Sequence, residues 1–78
     1  MLELKKALEN NNIEFTSEYV GDEFLYIETF SYKIEIYISD IDGKYHVGTF
    51  RENDDEIKNE KNIKSIKAVL NYINKYDI

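Results

Sequence analysis

The sequence predicts a single α+β domain over residues 1–78: an antiparallel meander of three to four strands between a short N-terminal helix and a longer C-terminal helix, αββββα or αβββα. Three observations carry this expectation. Residues 23–50 alternate apolar and polar positions in short runs rich in Ile, Tyr and Phe, which fit a pleated sheet. Gly21-Asp22 and Asp42-Gly43 punctuate those runs as turns. Ile63, Ile66, Val69, Leu70, Ile73 and Tyr76 recur at helical spacing near the end of the chain.

Met1, Leu4, Ala7 and Leu8 make the apolar stripe of the first helix, from Met1 to about Asn10. The Asn10-Asn11-Asn12 run suits its C-terminal end, because Asn tolerates left-handed backbone. A helix of about ten residues is marginal alone and must dock to persist. Ile13 to Val20 alternates, with Ile13, Phe15 and Tyr19 on one face, and reads as a strand that either joins the meander or stands apart. Glu23 to Phe30, Tyr32 to Ser39 and Lys44 to Phe50 follow as strands. Asp42-Gly43 predicts a two-residue type I′ loop. That loop sets Ile38 opposite Val47, Tyr37 opposite Gly48, Glu35 opposite Phe50 and Ser39 opposite His46. A second two-residue loop at Phe30-Ser31 sets Glu28 opposite Lys33, Ile27 opposite Ile34 and Phe24 opposite Tyr37. Residues 51–61 hold one apolar side chain, Ile57, and read as a solvated loop, with Asn62 capping a helix that starts at Ile63.

Both registers give the same faces. Leu25, Ile27, Ile34, Ile36, Ile38 and Val47 fall on one side, and Phe24, Tyr26, Tyr37 and Phe50 on the other. One apolar face suffices for a core, so the aromatic side calls for a cover: the N-terminal helix, a second copy or a partner. Half-buried aromatics would leave roughly 300–400 Å² open there, the size at which an exposed patch begins to mean interaction.

Composition narrows the function. The chain is globular in its balance, 42% hydrophobic and 33% charged, and has no cysteine for a disulfide or a thiolate metal site. His46 is the only histidine, which excludes a multi-histidine metal centre. Asp40-Ile41-Asp42-Gly43 opens like a calcium loop, but Lys44 and Arg51 stand where ligands belong. A Ser39–His46 pair would also need an orienting carboxylate and an oxyanion hole, and both residues sit mid-strand with no Gly-rich turn or helix start nearby. The expectation is therefore a protein that is not an enzyme and needs no cofactor or metal. MLELKKALEN turns charged too early for a secretory signal, and no run approaches a membrane span, so the expected setting is cytoplasmic, with no membrane partner.

Net charge is −6, and residues 13–31 carry Glu14, Glu18, Asp22, Glu23 and Glu28 with no base. Lysines neutralising phosphates drive nucleic-acid binding, so direct binding is disfavoured and a basic protein partner is favoured. The expected partner-binding residues are Phe24, Tyr26, Tyr37 and Phe50 with Glu14, Glu18, Asp22 and Glu23; Asp54, Asp55 and Glu56 extend the acidic surface.

The helix, meander, helix order resembles the double-stranded-RNA-binding domains, which run αβββα and place a basic cluster at the start of the last helix, where Lys61, Lys64 and Lys67 fall here. The sequence departs from that family in lacking a Gly-Pro-x-His turn, in an extra strand and in the sign of its charge. The small size and acidic composition are also similar to phage-encoded counter-defence proteins, including anti-CRISPR proteins. That resemblance implies a non-catalytic inhibitor, a nucleic-acid mimic seated in the basic groove of a nucleic-acid-handling enzyme, and it assigns no residue. The alternatives are a homodimeric structural or regulatory accessory and, from the first resemblance, a nucleic-acid binder.

Overall fold

A strand whose alternate residues are aliphatic must turn that side to a core, and the runs from residue 22 to residue 50 do so. The computed structural model describes residues 1–51, 53, 54 and 56–76. Its elements are α1 (Leu2–Asn10), β1 (Thr16–Val20), β2 (Asp22–Glu28), β3 (Lys33–Ile38), β4 (Tyr45–Phe50), β5 (Lys58–Ile63) and α2 (Ile66–Tyr76). The strands form one antiparallel sheet in chain order, β1-β2-β3-β4-β5. The fold is thus α+β with a β-meander between two helices, and β1 belongs to the same sheet.

Leu25, Ile27, Ile34, Ile36 and Val47 on the sheet form one buried cluster with Leu4 and Leu8 of α1, Ile63 of β5, and Val69, Tyr72 and Ile73 of α2. Both helices therefore lie on the Ile-rich face, and α1 packs against α2 rather than against the aromatic side. α1 ends in a Schellman arrangement. The Ile13 amide donates to the Leu8 carbonyl at 2.9 Å and the Asn12 amide to the Glu9 carbonyl at 3.1 Å. Asn12 supplies the left-handed residue, with φ 58°. This closure folds Ile13 back over Leu8 and starts the return toward β1.

The Phe30-Ser31 loop has two residues: the Thr29 amide donates to the Tyr32 carbonyl at 2.8 Å. β2 and β3 pair as the sequence requires, Glu28 with Lys33 and Ile27 with Ile34. The β3–β4 loop differs. Ser39 pairs with Lys44, its amide donating to the Lys44 carbonyl at 3.1 Å, and the Gly43 amide donates back to Ser39 at 2.8 Å. The loop is Asp40-Ile41-Asp42-Gly43, with Gly43 left-handed at φ 67° and the Lys44 amide held by the Asp42 carboxylate at 2.9 Å. Two more loop residues slide the register by two, so Gly48 faces Glu35, His46 faces Tyr37 and Phe50 faces Lys33. A slide of two leaves every side chain on its expected face.

β5 replaces part of the expected loop. Its pairing with β4 runs Tyr45 with Ile63, His46 with Asn62, Val47 with Lys61 and Thr49 with Lys58, with an irregularity between Val47 and Thr49. Asn59 takes φ 56° there, and its side-chain amide donates to Thr49 Oγ1 at 3.0 Å. Asn62 is therefore a strand residue, and Ser65 caps α2: its Oγ accepts from the Ala68 amide at 3.2 Å. Ile63 is core as the helical stripe implied, but it reaches the core from β5.

Gly48 shows how tightly β5 closes on the sheet. A Cβ built there would overlap the Cγ2 methyl of Ile57 and touch Glu60 Cγ at 3.4 Å. Gly48→Ala is expected to lower stability by about 1–2 kcal/mol, the overpacking range. In an Ile57→Ala background the penalty should shrink below about 0.5 kcal/mol, because the obstructing methyl is gone. Chemical denaturation of the four proteins reads both values.

Candidate binding face on the open side of the sheet

With both helices on one side, alternation sends the remaining strand residues to a face that no helix of the described residues covers. Phe24 and Tyr26 come from β2, Glu35 and Tyr37 from β3, and His46, Gly48 and Phe50 from β4. Across the strands the rings meet in two groups. Phe24 and Tyr37 lie 5.1 Å apart at 49°, and Tyr37 lies 5.1 Å from His46. Tyr26 and Phe50 meet edge to face at 6.2 Å and 87°. Such pairs contribute about 0.5–1.5 kcal/mol each beyond their area, so the rings are half-buried against one another while their outer sides stay open.

The acidic candidates divide. Glu18 stands opposite Phe24 at the edge of this face, and Glu14 shares a recess with Thr16, Tyr26 and Glu28. Asp22 is exposed beside the Gly21 turn, opposite Val20. Glu23 is elsewhere. It has the parity of Leu25, so it turns to the helix side, where Lys5 of α1 forms an ion pair with it. Ser17 Oγ and the Tyr19 hydroxyl donate to the same oxygen at 2.7 and 2.9 Å. Glu23 is thus occupied as a tether between α1 and the β1–β2 hairpin, away from the other candidates. Asp54 pairs with Lys58 at 3.6 Å, Glu56 is exposed, and Asp55 lies outside the described residues.

His46 does not meet Ser39. Its Nε2 lies 3.1 Å from Asp42 Oδ2, and Ser39 Oγ accepts from the Ile41 amide at 3.2 Å. Among the described residues no group of three or more His, Cys, Asp or Glu is placed to hold a metal ion, and no helix is long and apolar enough to cross a membrane. No family model matches this chain. Curated proteins and solved structures likewise give no significant match. The face must therefore be read from its own chemistry.

Two further residues, one on central β3 and one on edge strand β5, belong to that chemistry and were not singled out from the sequence. Glu35 lies between the two ring groups. Partial burial raises its carboxyl pKa, the neighbouring Tyr26 hydroxyl pulls the other way, and Glu60 raises it further. Tyr26 is raised in turn, first by burial and then by Glu35 and Glu18. The alternation of β3 already put Glu35 on the aromatic side, so its place was readable. Glu60 was hidden, because the strand that carries it has no apolar alternation.

The two carboxylates predict opposite pH behaviour. Lys5, then Ser17 and Tyr19, hold Glu23 well below its ordinary 4.5, at about 2. A depressed carboxylate adds stability above its unfolded pKa and loses it as pH falls through the folded one. Thermal melts should therefore show a Glu23-dependent loss between about pH 5 and pH 2 that Glu23→Gln removes. Glu35 is raised, so its ionised form opposes folding. Glu35→Gln should raise the melting temperature at pH 7, with the advantage fading as acid protonates the wild-type carboxyl.

Proposed function

We infer that this chain is a non-enzymatic protein-binding module that captures its partner on the Phe24, Tyr26, Tyr37 and Phe50 face. The observation that supports it most is that the two helices share the opposite side of the sheet, leaving these four rings without a cover from the described residues. Tyr and Phe give large contact area for few rotatable bonds, as binding hot spots do. Glu14, Glu18 and Asp22 border the rings with negative charge, which steers a basic partner toward them. The partner we propose is a nucleic-acid-handling enzyme whose basic groove the module blocks in the cytoplasm, in the manner of a phage-encoded inhibitor.

Phe24→Ser with Tyr37→Ser tests the reading. Immobilised wild-type protein should retain from host lysate a nucleic-acid-binding protein that added duplex DNA displaces. The double variant should bind it at least about 30-fold more weakly, as expected if even one of the two rings is a hot spot worth about 2 kcal/mol. Its far-UV circular dichroism should be unchanged and its melt cooperative. An unfolded double variant would show that the rings are core, and retention of the partner would remove the face from the interface. The same rings would also suit a homodimer. Light scattering at micromolar concentration should find a monomer; a dimer that the double variant splits would make the face a self-interface instead.

A further inference from the structure

The open face carries a recess with a charge of its own. Glu35, Tyr37, His46, Gly48, Ile57 and Glu60 line a cavity of about 170 Å³ between β3, β4 and the start of β5. Gly48 lies at its base, buried and without a Cβ, and the Ile57 methyl and the Glu60 Cγ close over it. One wall is the Tyr37 ring, stacked 5.1 Å from His46, whose Nε2 is engaged by Asp42 at 3.1 Å. Glu35 of β3, in register with Gly48, and Glu60 of β5 bring a carboxylate to the recess from either side of β4.

Among the described residues neither carboxylate has a cation at ion-pair distance. The ion pairs there are Lys5–Glu23, Lys33–Glu28 and Lys58–Asp54. Lys61 also lines the recess, from a β5 position in register with core-facing Val47, and pairs with neither carboxylate. Glu35 is half-buried beside Glu60 without a counter-charge, and its pKa is raised by that burial first and by Glu60 besides. A cation entering the recess would offset both effects.

The recess also selects the shape of the cation. Carboxylates on the two sides of a narrow recess fit a planar donor whose N–H groups fork outward to both. Guanidinium has that geometry, whereas an ammonium offers a compact, strongly hydrated point charge.

We propose that the Glu35–Glu60 recess is an anchor pocket for the guanidinium of an arginine presented by a protein partner, lying beside Tyr37 with its N–H groups donating to the two carboxylates. This rests on the protein-binding reading above and supplies the chemistry of the anchor. It also gives that reading a direction, since arginine is the residue with which nucleic-acid-binding grooves hold phosphate.

N-acetyl-arginine amide is the probe, titrated into the labelled full chain at pH 7.5 and followed by amide and side-chain NMR. Shifts should concentrate on Glu35, Tyr37, His46, Gly48 and Glu60. N-acetyl-citrulline amide, the neutral isostere, should leave them unmoved, and N-acetyl-lysine amide should bind about fivefold more weakly or less. Glu35→Gln and Glu60→Gln should each weaken arginine binding about fivefold or more, while Glu28→Gln, on a carboxylate already paired with Lys33, leaves it unchanged. Shifts spread evenly over all exposed carboxylates, or unaltered binding by Glu35→Gln, would overturn the pocket. If arginine fails to bind while Phe24→Ser/Tyr37→Ser still loses its partner, the pocket is wrong and the module reading stands. If the double variant keeps its partner while Glu35→Gln loses it, the pocket stands and the ring face does not carry capture.

Discussion

The two-residue period of β2, β3 and β4 is the constraint on which the molecule depends. It places Leu25, Ile27, Ile34, Ile36 and Val47 on one side, each nearly or fully buried. Two amphipathic helices then have a single apolar surface to cover, and neither could move to the other side without exposing that set. A slip of one residue in either central hairpin would exchange the faces of a whole strand and bring Glu35 or Tyr37 into the core. The aromatic side is therefore a remainder: it holds what alternation leaves after the core has been assigned.

That constraint also explains which expectations survived the structure. The Asp42-Gly43 signal located the turn but gave its length as two residues, whereas Gly43 closes a four-residue loop in the left-handed conformation. Both lengths are even, so every pair in β3–β4 moved while no side chain changed sides. β5 was unreadable for a different reason. Lys58-Asn59-Glu60-Lys61-Asn62 carries no aliphatic alternation, because an edge strand with both sides wet is selected by the backbone groups of β4 that need partners. Charged residues and an irregularity are how edges are kept from pairing further, and the same devices erase the pattern by which strands are recognised.

The candidate face divides along the same line. Phe24, Tyr26, Tyr37 and Phe50 were legible because ring identity and parity together placed them. Glu23 was grouped with the other acids by charge alone, although its parity with Leu25 already sent it to the helix side. Its role is structural: three donors from α1 and β1 converge on one carboxylate oxygen. Glu35 was legible in position but not in significance, which arises only when Glu60 arrives from β5 on the far side of Gly48. Acidic composition is thus a weak guide to an acidic site, since one carboxylate here is a tether and another is a half-buried charge without a counter-ion.

The chain-order sheet has a consequence for how the protein is made. Every strand pairs with its sequence neighbour, so the sheet is assembled from local contacts, and proteins rich in such contacts fold quickly. Hairpins form in about 1–10 μs, and each new strand here needs only the one before it. The contact of α1 with α2 is the non-local closure, joining the two ends of the chain across a sheet that can already exist. During synthesis α1 would emerge with no helix to pack on, and the core would be completed only when α2 leaves the ribosome. Native assembly is thus timed by α2, the last element of this fold to be made.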